Sequence, residues 1–301
     1  MTKLAAATFV ALQLAGSACV ATAQVGSTAP GLGGMHAAPG MVMYHAPEWS
    51  RDGQWILVSA NRERDMEVYL IRADGSAIRQ LTHNEADDLA HWSDDGQRVL
   101  VESSQAGRST WFSMKPDGSD VRPFIPDSVV SRSPDGQTLL FESIRDGRGR
   151  LFLMTTARTN VREIRTARHA EQGSFSPDGK LIVFEQRNAM HDDVPHSQII
   201  VSRPDGSEPR FVAVGTDPSW STDGSLILFK APDDKTNQLW ISTVAPNGTG
   251  QRRLAAGVHM HYSPDGRRIV FMRDDKDGNA HVWIMNADGT GATCISCRLA
   301  R

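Results

Sequence analysis

The chain is poor in the features that mark most functional classes. It has 3 cysteines in 301 residues, which excludes a disulfide-rich scaffold. It has no basic surplus: 32 Lys and Arg stand against 35 Asp and Glu, so nucleic acid is not an expected partner. It contains no G-x-S-x-G nucleophile elbow, no P-loop and no dinucleotide fingerprint. Its apolar runs lack the 3.6-residue period of a helix. No apolar run beyond the N-terminal segment is long enough to span a membrane.

What is present is repetition. "WSRDGQWILVSA" (49–60) returns as "HWSDDGQRVLVES" (91–103), "SRSPDGQTLLFES" (131–143), "SFSPDGKLIVFEQ" (174–186), "SWSTDGSLILFK" (219–230) and "HYSPDGRRIVFM" (261–272). The turn glycines Gly53, Gly96, Gly136, Gly179, Gly224 and Gly266 are spaced by 43, 40, 43, 45 and 42 residues. Each apolar run is followed by a polar loop, a second apolar run and, in five units, a second turn such as "ADGS" (73–76) or "PNGT" (246–249). Unit three reads "TTARTN" at that place. Glycine takes φ > 0 without a Cβ clash, so the Asp-Gly pairs predict two-residue hairpins. The alternating Val, Ile, Leu, Phe and Trp runs predict strands. Four short strands, A to D, per ~40–45 residues is the period of a propeller blade. The expectation is an all-β, six-bladed propeller of four-stranded antiparallel blades. The aromatic before the turn serine (Trp49, Trp92, Phe175, Trp220, Tyr262; Arg132 in unit three) is expected to wedge between blades.

The W-S-x-D-G-x-x-I-x-F string with the later D-G-S/T resembles the TolB-type, WD-repeat-like propeller repeat, over about residues 44–296. That resemblance implies the fold and leaves function open. The family includes the periplasmic propeller of the Tol system, propeller domains of serine peptidases, and oligogalacturonate lyase, which carries a metal and histidines in its channel. The Tol protein has an α/β domain ahead of its propeller, for which this sequence has no room. No fused peptidase domain is expected after the sixth unit.

Residues 1–23 read as a secretory signal peptide, with one charge at Lys3 and a small-residue cleavage site at Ala21-Thr22-Ala23. Gly-Ser-Ala before Cys19 does not fit a lipid-attachment site. Residues 24–43 read as a tether, and 44–301 as the propeller. The expected location is therefore the bacterial periplasm or the exterior, with no membrane span after cleavage. Cys294 and Cys297 remain in the mature chain. In an extended strand their Cα atoms would lie roughly 10 Å apart, so a disulfide requires a turn at Ile295-Ser296.

Candidate site residues fall on strand A and on the loops. The position before the aromatic reads Glu48, His91, Ser131, Ser174, Ser219 and His261; nearby are Gln172, Asp217, His259 and His45. Innermost strands line a propeller's channel, so these groups are expected near its mouth. Glu48, His91 and His261 form a candidate set for a divalent metal. The favoured reading is that they are hydrogen-bonded polar groups beside channel water, with no cofactor expected, and the metal set is the alternative. A partner-binding rim is expected on the loops, with Arg62, Arg64, Arg145, Arg148, His191, Asp192 and His196 as candidates. "RDDKDGNA" (273–280) resembles the start of a calcium loop, but its glycine comes too early and the terminal Glu is missing. The favoured reading is a non-catalytic protein-interaction module that binds an envelope protein. The alternative is a propeller enzyme, lyase- or hydrolase-like, or a small-ligand or metal-binding protein with its site at the channel mouth.

Overall fold

A computed structural model describes residues 42–62, 65–84, 87–93, 95–105, 108–124, 129–145, 148–157, 159–165, 169–187, 197–233, 236 and 238–297. Side chains at 87, 105, 108, 109, 129, 130, 144, 145 and 148 fall outside that description. The expected leader and most of the tether also lie outside it.

Six four-stranded antiparallel sheets follow one another along the chain, each built from four consecutive strands. Blade 1 runs Tyr44–Trp49, Trp55–Ala60, Glu67–Arg72 and Ile78–Gln80. The A strands of the six blades are Tyr44–Trp49, Asp87–Trp92, Val129–Arg132, Ala170–Phe175, Thr216–Trp220 and Val258–Tyr262. A strands touch one another between blades 6 and 1, 1 and 2, 3 and 4, and 4 and 5. D strands are short and partly exposed. Arg79, Arg122, Arg162, Arg210 and Arg252 occupy one register on them, all exposed. Charged residues on a short outer strand blunt an edge that could otherwise pair with another sheet.

The first turn is longer than a two-residue hairpin. Ser50 and Trp55 close it by a backbone bond of 2.8 Å, and Gly53 N–H donates to Ser50 C=O at 2.9 Å. Only Gly53 has positive φ (68°) among the turn residues. A two-residue I′ hairpin would need positive φ at Asp52 as well. The serine and aspartate explain the preference. Ser50 Oγ donates to Asp52 Oδ1 (2.6 Å) and accepts Trp55 N–H (2.9 Å), while Asp52 accepts Gln54 N–H (3.0 Å). The Ser–Asp bond recurs in the other five units.

The turns also form a ring of contacts. The residue between Ser and Asp in one blade sits against the turn glycine of the next: Arg51 on Gly96, Pro134 on Gly179, Pro177 on Gly224, Thr222 on Gly266, and Pro264 on Gly53. The last contact joins blade 6 to blade 1. The same seam holds Arg268 over the Trp49 ring (4.7 Å to its centroid) and an apolar cluster of Trp49, Ile56, Val58 and Ile71 with Val270, Met272 and Val282. Among the described residues closure is therefore made by side chains and not by an exchanged strand. Similar clusters fill the seams between blades 1 and 2, 3 and 4, 4 and 5, and 5 and 6. Burial of these side chains, each worth about 1.5–3 kcal/mol, is the main force holding the ring. The aromatics before the turn lie in these seams; Trp220 also donates its indole N–H to Ser174 C=O of blade 4 (3.2 Å).

Candidate functional site

The A strands are not regular. In blades 1, 4, 5 and 6 the A–B register slips between His45 and Glu48, Glu171 and Ser174, Thr216 and Ser219, and Val258 and His261. The residue three before the aromatic takes positive φ in each: Ala46 (48°), Gln172 (55°), Asp217 (53°) and His259 (50°). Such bulges re-aim side chains where they interrupt a ladder. Blade 2 has an unbroken register from Asp87 to Trp92.

The strand-A candidates therefore fall in two layers. Glu48, which pairs with Leu57, lies close to the first turn, as do the equivalent His91 and His261. His45, which pairs with Ser59, lies nearer the B–C loops, as do Asp217 and His259 on their strands.

In the first layer His91 Nδ1 lies 2.6 Å from Glu48 Oε1, and Trp92 N–H donates to Glu48 Oε2 at 3.1 Å. Both carboxylate oxygens are thus engaged by blade 2. Ser131 does the same work between blades 3 and 4, where its Oγ accepts Phe175 N–H at 3.3 Å. Burial opposes ionisation of both partners. For Glu48 it is outweighed by the His91 charge and hydrogen bond, the His261 charge and the Trp92 N–H, which hold the carboxyl below its usual range. For His91 it is outweighed by the Glu48 charge and hydrogen bond and by the Glu102 charge, which hold the imidazole above its usual value. His261 has burial as its dominant influence and is lowered, with Glu48 and Asp217 opposing.

In the second layer the His45 and His259 rings meet at 4.8 Å between centroids. Burial pushes His45 down, assisted by the His91 charge. Burial and the charges of His45, Lys230 and His261 push His259 down to about 3. Asp217 forms an ion pair with Lys230 of the adjoining strand. Asp217 N–H donates to Glu185 Oε2 (3.3 Å), whose other oxygen accepts Ser197 O–H (2.7 Å). Arg187 pairs with Glu171 (2.7 Å) and approaches Glu185 (3.4 Å). Glu142 is pushed up to about 7 by burial and by the Glu171 and Glu185 charges, against Arg187 and the Gln172 N–H.

Several of these groups escaped the sequence reading. Glu102, Glu142, Glu185 and Lys230 all stand six residues after the turn glycine, on strand B. An alignment on that glycine carried forward along strand B shows them; an alignment on the aromatic of strand A does not. The rim residues are placed less fully. Arg62 stacks over the Tyr69 ring at 5.9 Å. Arg145 and Arg148 face each other across the B–C hairpin of blade 3, with their side chains outside the description. Arg64, His191, Asp192 and His196 lie outside the described residues. Cys294 and Cys297 are joined as a disulfide, with Cα atoms 5.6 Å apart. Among the described residues, the group of three possible metal ligands within 4.8 Å of one another is His281, Cys294 and Cys297, on blade 6 and not in the channel.

Solved structures place this architecture. TolB from Acinetobacter baumannii superposes with a TM-score of 0.59 at 17% identity, over 83% of this chain and 62% of that one. A TolB-like structure from Agrobacterium tumefaciens gives 0.55 at 19% identity, over 81% and 90%. The fold is that of a TolB-type propeller. An oligogalacturonate lyase in complex with manganese gives 0.52 at 16% identity, over 85% and 78%. At these identities the likeness is one of fold. This chain spans less than two thirds of the Acinetobacter protein. A comparison with protein-family models gives no match, and neither does one with curated proteins.

Proposed function

We propose that this TolB-type propeller is an exported, non-catalytic protein-interaction module of the bacterial envelope, recognising its partner through the loops of the B–C and D–A face. The observation that carries this reading is the mutual engagement of the channel charges. Glu48 is held by His91 and Trp92, Asp217 by Lys230, and Glu171 by Arg187. A general base or a metal ligand needs a lone pair aimed at open space. Here the carboxylates aim theirs at protein groups, across a seam for Glu48 and within their own blade for Asp217 and Glu171, which suits a rigid scaffold whose variable loops do the recognising. The envelope placement rests on the leader-like residues 1–23 and on the resemblance to TolB. Among the described residues no helix is long and apolar enough to cross a membrane.

A second reading has its own support. Among the described residues His45 Nδ1, Gln172 Oε1, Ser174 Oγ and Ser219 Oγ are buried without a protein partner, and all belong to the channel strands. Buried polar groups are normally satisfied, by water or by ligand. A small polar ligand or a divalent ion in the channel would satisfy them. The experiment that separates the readings is affinity capture from envelope extract with three baits: the wild-type chain, Arg62→Glu, and the His91→Ala/His261→Ala pair. A partner lost with Arg62→Glu and retained by the histidine pair supports the interaction module. Loss with the histidine pair alone, together with loss of a stoichiometric bound ion, moves the function into the channel.

A further inference from the structure

Blade 6 ends in a Cys-x-x-Cys turn that the channel leaves unused. Thr293 and Cys294 pair with Ile284 and Trp283 of strand C, and the chain then turns sharply to Cys297. Inside the turn Ile295 and Ser296 are buried, while Cys297 is exposed. Cys297 N–H donates to Cys294 Sγ at 3.0 Å. Behind the turn, on strand C, His281 is only 6% exposed. Its Nε2 lies 3.1 Å from Asp275 Oδ2 and its Nδ1 lies 3.3 Å from Ser296 Oγ, which also accepts Val282 N–H. Asp275 is itself fixed by the N–H groups of Asp277 and Asn279 and by the Asn279 amide. One ligand atom from each of His281, Cys294 and Cys297 lies within 4.8 Å of the other two.

A bridge between residues of one turn ties blade 6 to nothing else, and it has no need of a buried Asp–His pair behind it. Taken together the groups are a metal donor set. Two sulfurs at C-x-x-C spacing and one imidazole are ligands that zinc takes. A histidine ligand is usually oriented by a carboxylate on its other nitrogen, and Asp275 holds that place. In a tetrahedral site with ordinary Zn–S and Zn–N lengths the donor atoms lie roughly 3.4–3.8 Å apart, so little rearrangement is required once the sulfurs separate. The N–H···S bond holds the turn in shape and stabilises a thiolate.

We propose that Cys294, Cys297 and His281 form a redox-gated site for a thiophilic divalent cation, zinc above all. In the oxidised protein the disulfide closes the site. A dithiol reductant breaks the S–S bond, giving up two electrons and two protons and becoming a disulfide itself, and leaves two thiols here. Metal binding then displaces both thiol protons to solvent. The His281 Nδ1 lone pair turns from the Ser296 hydroxyl to the metal, while Nε2–H stays on Asp275. The fourth position, on the exposed side beside Cys297, is open to water.

The test is titration of the mature chain with Co²⁺ and then Zn²⁺, after reduction by a phosphine and in parallel without it. The reduced chain should bind one Co²⁺ with a thiolate-to-metal charge-transfer absorption, and Zn²⁺ should displace it. Zinc affinity should be at least 100-fold higher reduced than oxidised. Cys297→Ser, at an exposed position, should abolish the charge-transfer band, and Asp275→Asn should weaken zinc binding about 10- to 100-fold. Absence of the band in the reduced wild type would overturn the proposal. So would equal zinc affinity in the two redox states, which would place the ion at the channel histidines, or an undiminished band in Cys297→Ser.

Discussion

His91 Nδ1 and Glu48 Oε1 meet at 2.6 Å across the seam between blades 1 and 2, with both side chains 25% exposed. Neither blade alone contains this pair; the packing of blade 2 on blade 1 makes it. Its electrostatics yield a direct prediction. The His91 imidazole should titrate above the ordinary histidine value of 6.5, since the Glu48 charge overcomes burial. In Glu48→Gln, burial is left as the main influence, and the same ring should titrate below 6.5. A His91 NMR titration that does not move with Glu48→Gln would refute the assignment of the shift.

The sign for stability follows from linkage. His91 has a raised folded value, so its stabilisation is complete below 6.5 and fades as pH rises through the folded value. Glu48 has a lowered folded value, so its stabilisation is complete above 4.5 and fades as pH falls through the folded value. The pair therefore contributes most between 4.5 and 6.5. The Tm difference between wild type and Glu48→Gln should be largest in that window and shrink at pH 8.

Glu142 works in the opposite sense. Its carboxyl is pushed up to about 7 by burial and by Glu171 and Glu185. The folded chain binds a proton there that the unfolded chain releases near 4.5, so stability falls as pH rises from 4.5 to 7. Glu142→Gln removes that loss. The variant should gain on the order of 1–2 kcal/mol relative to wild type between pH 5 and pH 8, the remainder of the shift being screened. Parallel denaturation curves at the two pH values, with no relative gain, would count against it.

The turn ring predicts a local sensitivity. Gly179 has φ of 71°, and a Cβ there would stand 3.2 Å from the Pro134 ring of blade 3. Gly179→Val adds backbone strain and a clash, and should destabilise by roughly 1–3 kcal/mol in urea denaturation.

How far the molecule could be read from its sequence depends on which residue types carry the information. Blade number was open to counting, because positive φ at Gly53 and its five counterparts demands one residue type at one place. The strands were open too, because alternation is written in the side chains. The turn geometry was misjudged at Asp52: Asp-Gly permits a two-residue hairpin, and the Ser50 hydroxyl selects a longer turn instead. The bulges stayed hidden because Ala46, Gln172, Asp217 and His259 share a conformation and no chemistry. The repeat itself brings Glu48 and His91 together, because both stand before the aromatic of adjoining blades, whereas the Asp217–Lys230 pair depends on which residues of strands A and B stand side by side, which spacing alone does not give.

The hidden bulges give the last prediction. Ala46 sits at φ of 48°, a left-handed conformation that costs an L-residue roughly 1–2 kcal/mol. Glycine relieves that cost and adds about 0.5–1 kcal/mol of unfolded-state entropy. Ala46→Gly should therefore leave stability unchanged or raise it by about 0.5 kcal/mol. Leu89 holds the equivalent position in blade 2, where it pairs with Glu102 in an unbroken ladder and its φ is not positive. Leu89→Gly relieves nothing and removes side-chain packing, so it should destabilise by about 1 kcal/mol or more. The contrast matters for the channel. If the bulge conformation is built into the blades, then Asp217 and His259 are aimed by backbone shape before any ion pair forms, and Lys230→Met should leave the His45–His259 ring contact in place. Equal losses from Ala46→Gly and Leu89→Gly would mean that blade 1 has no bulge, and that the channel residues owe their positions to their charges.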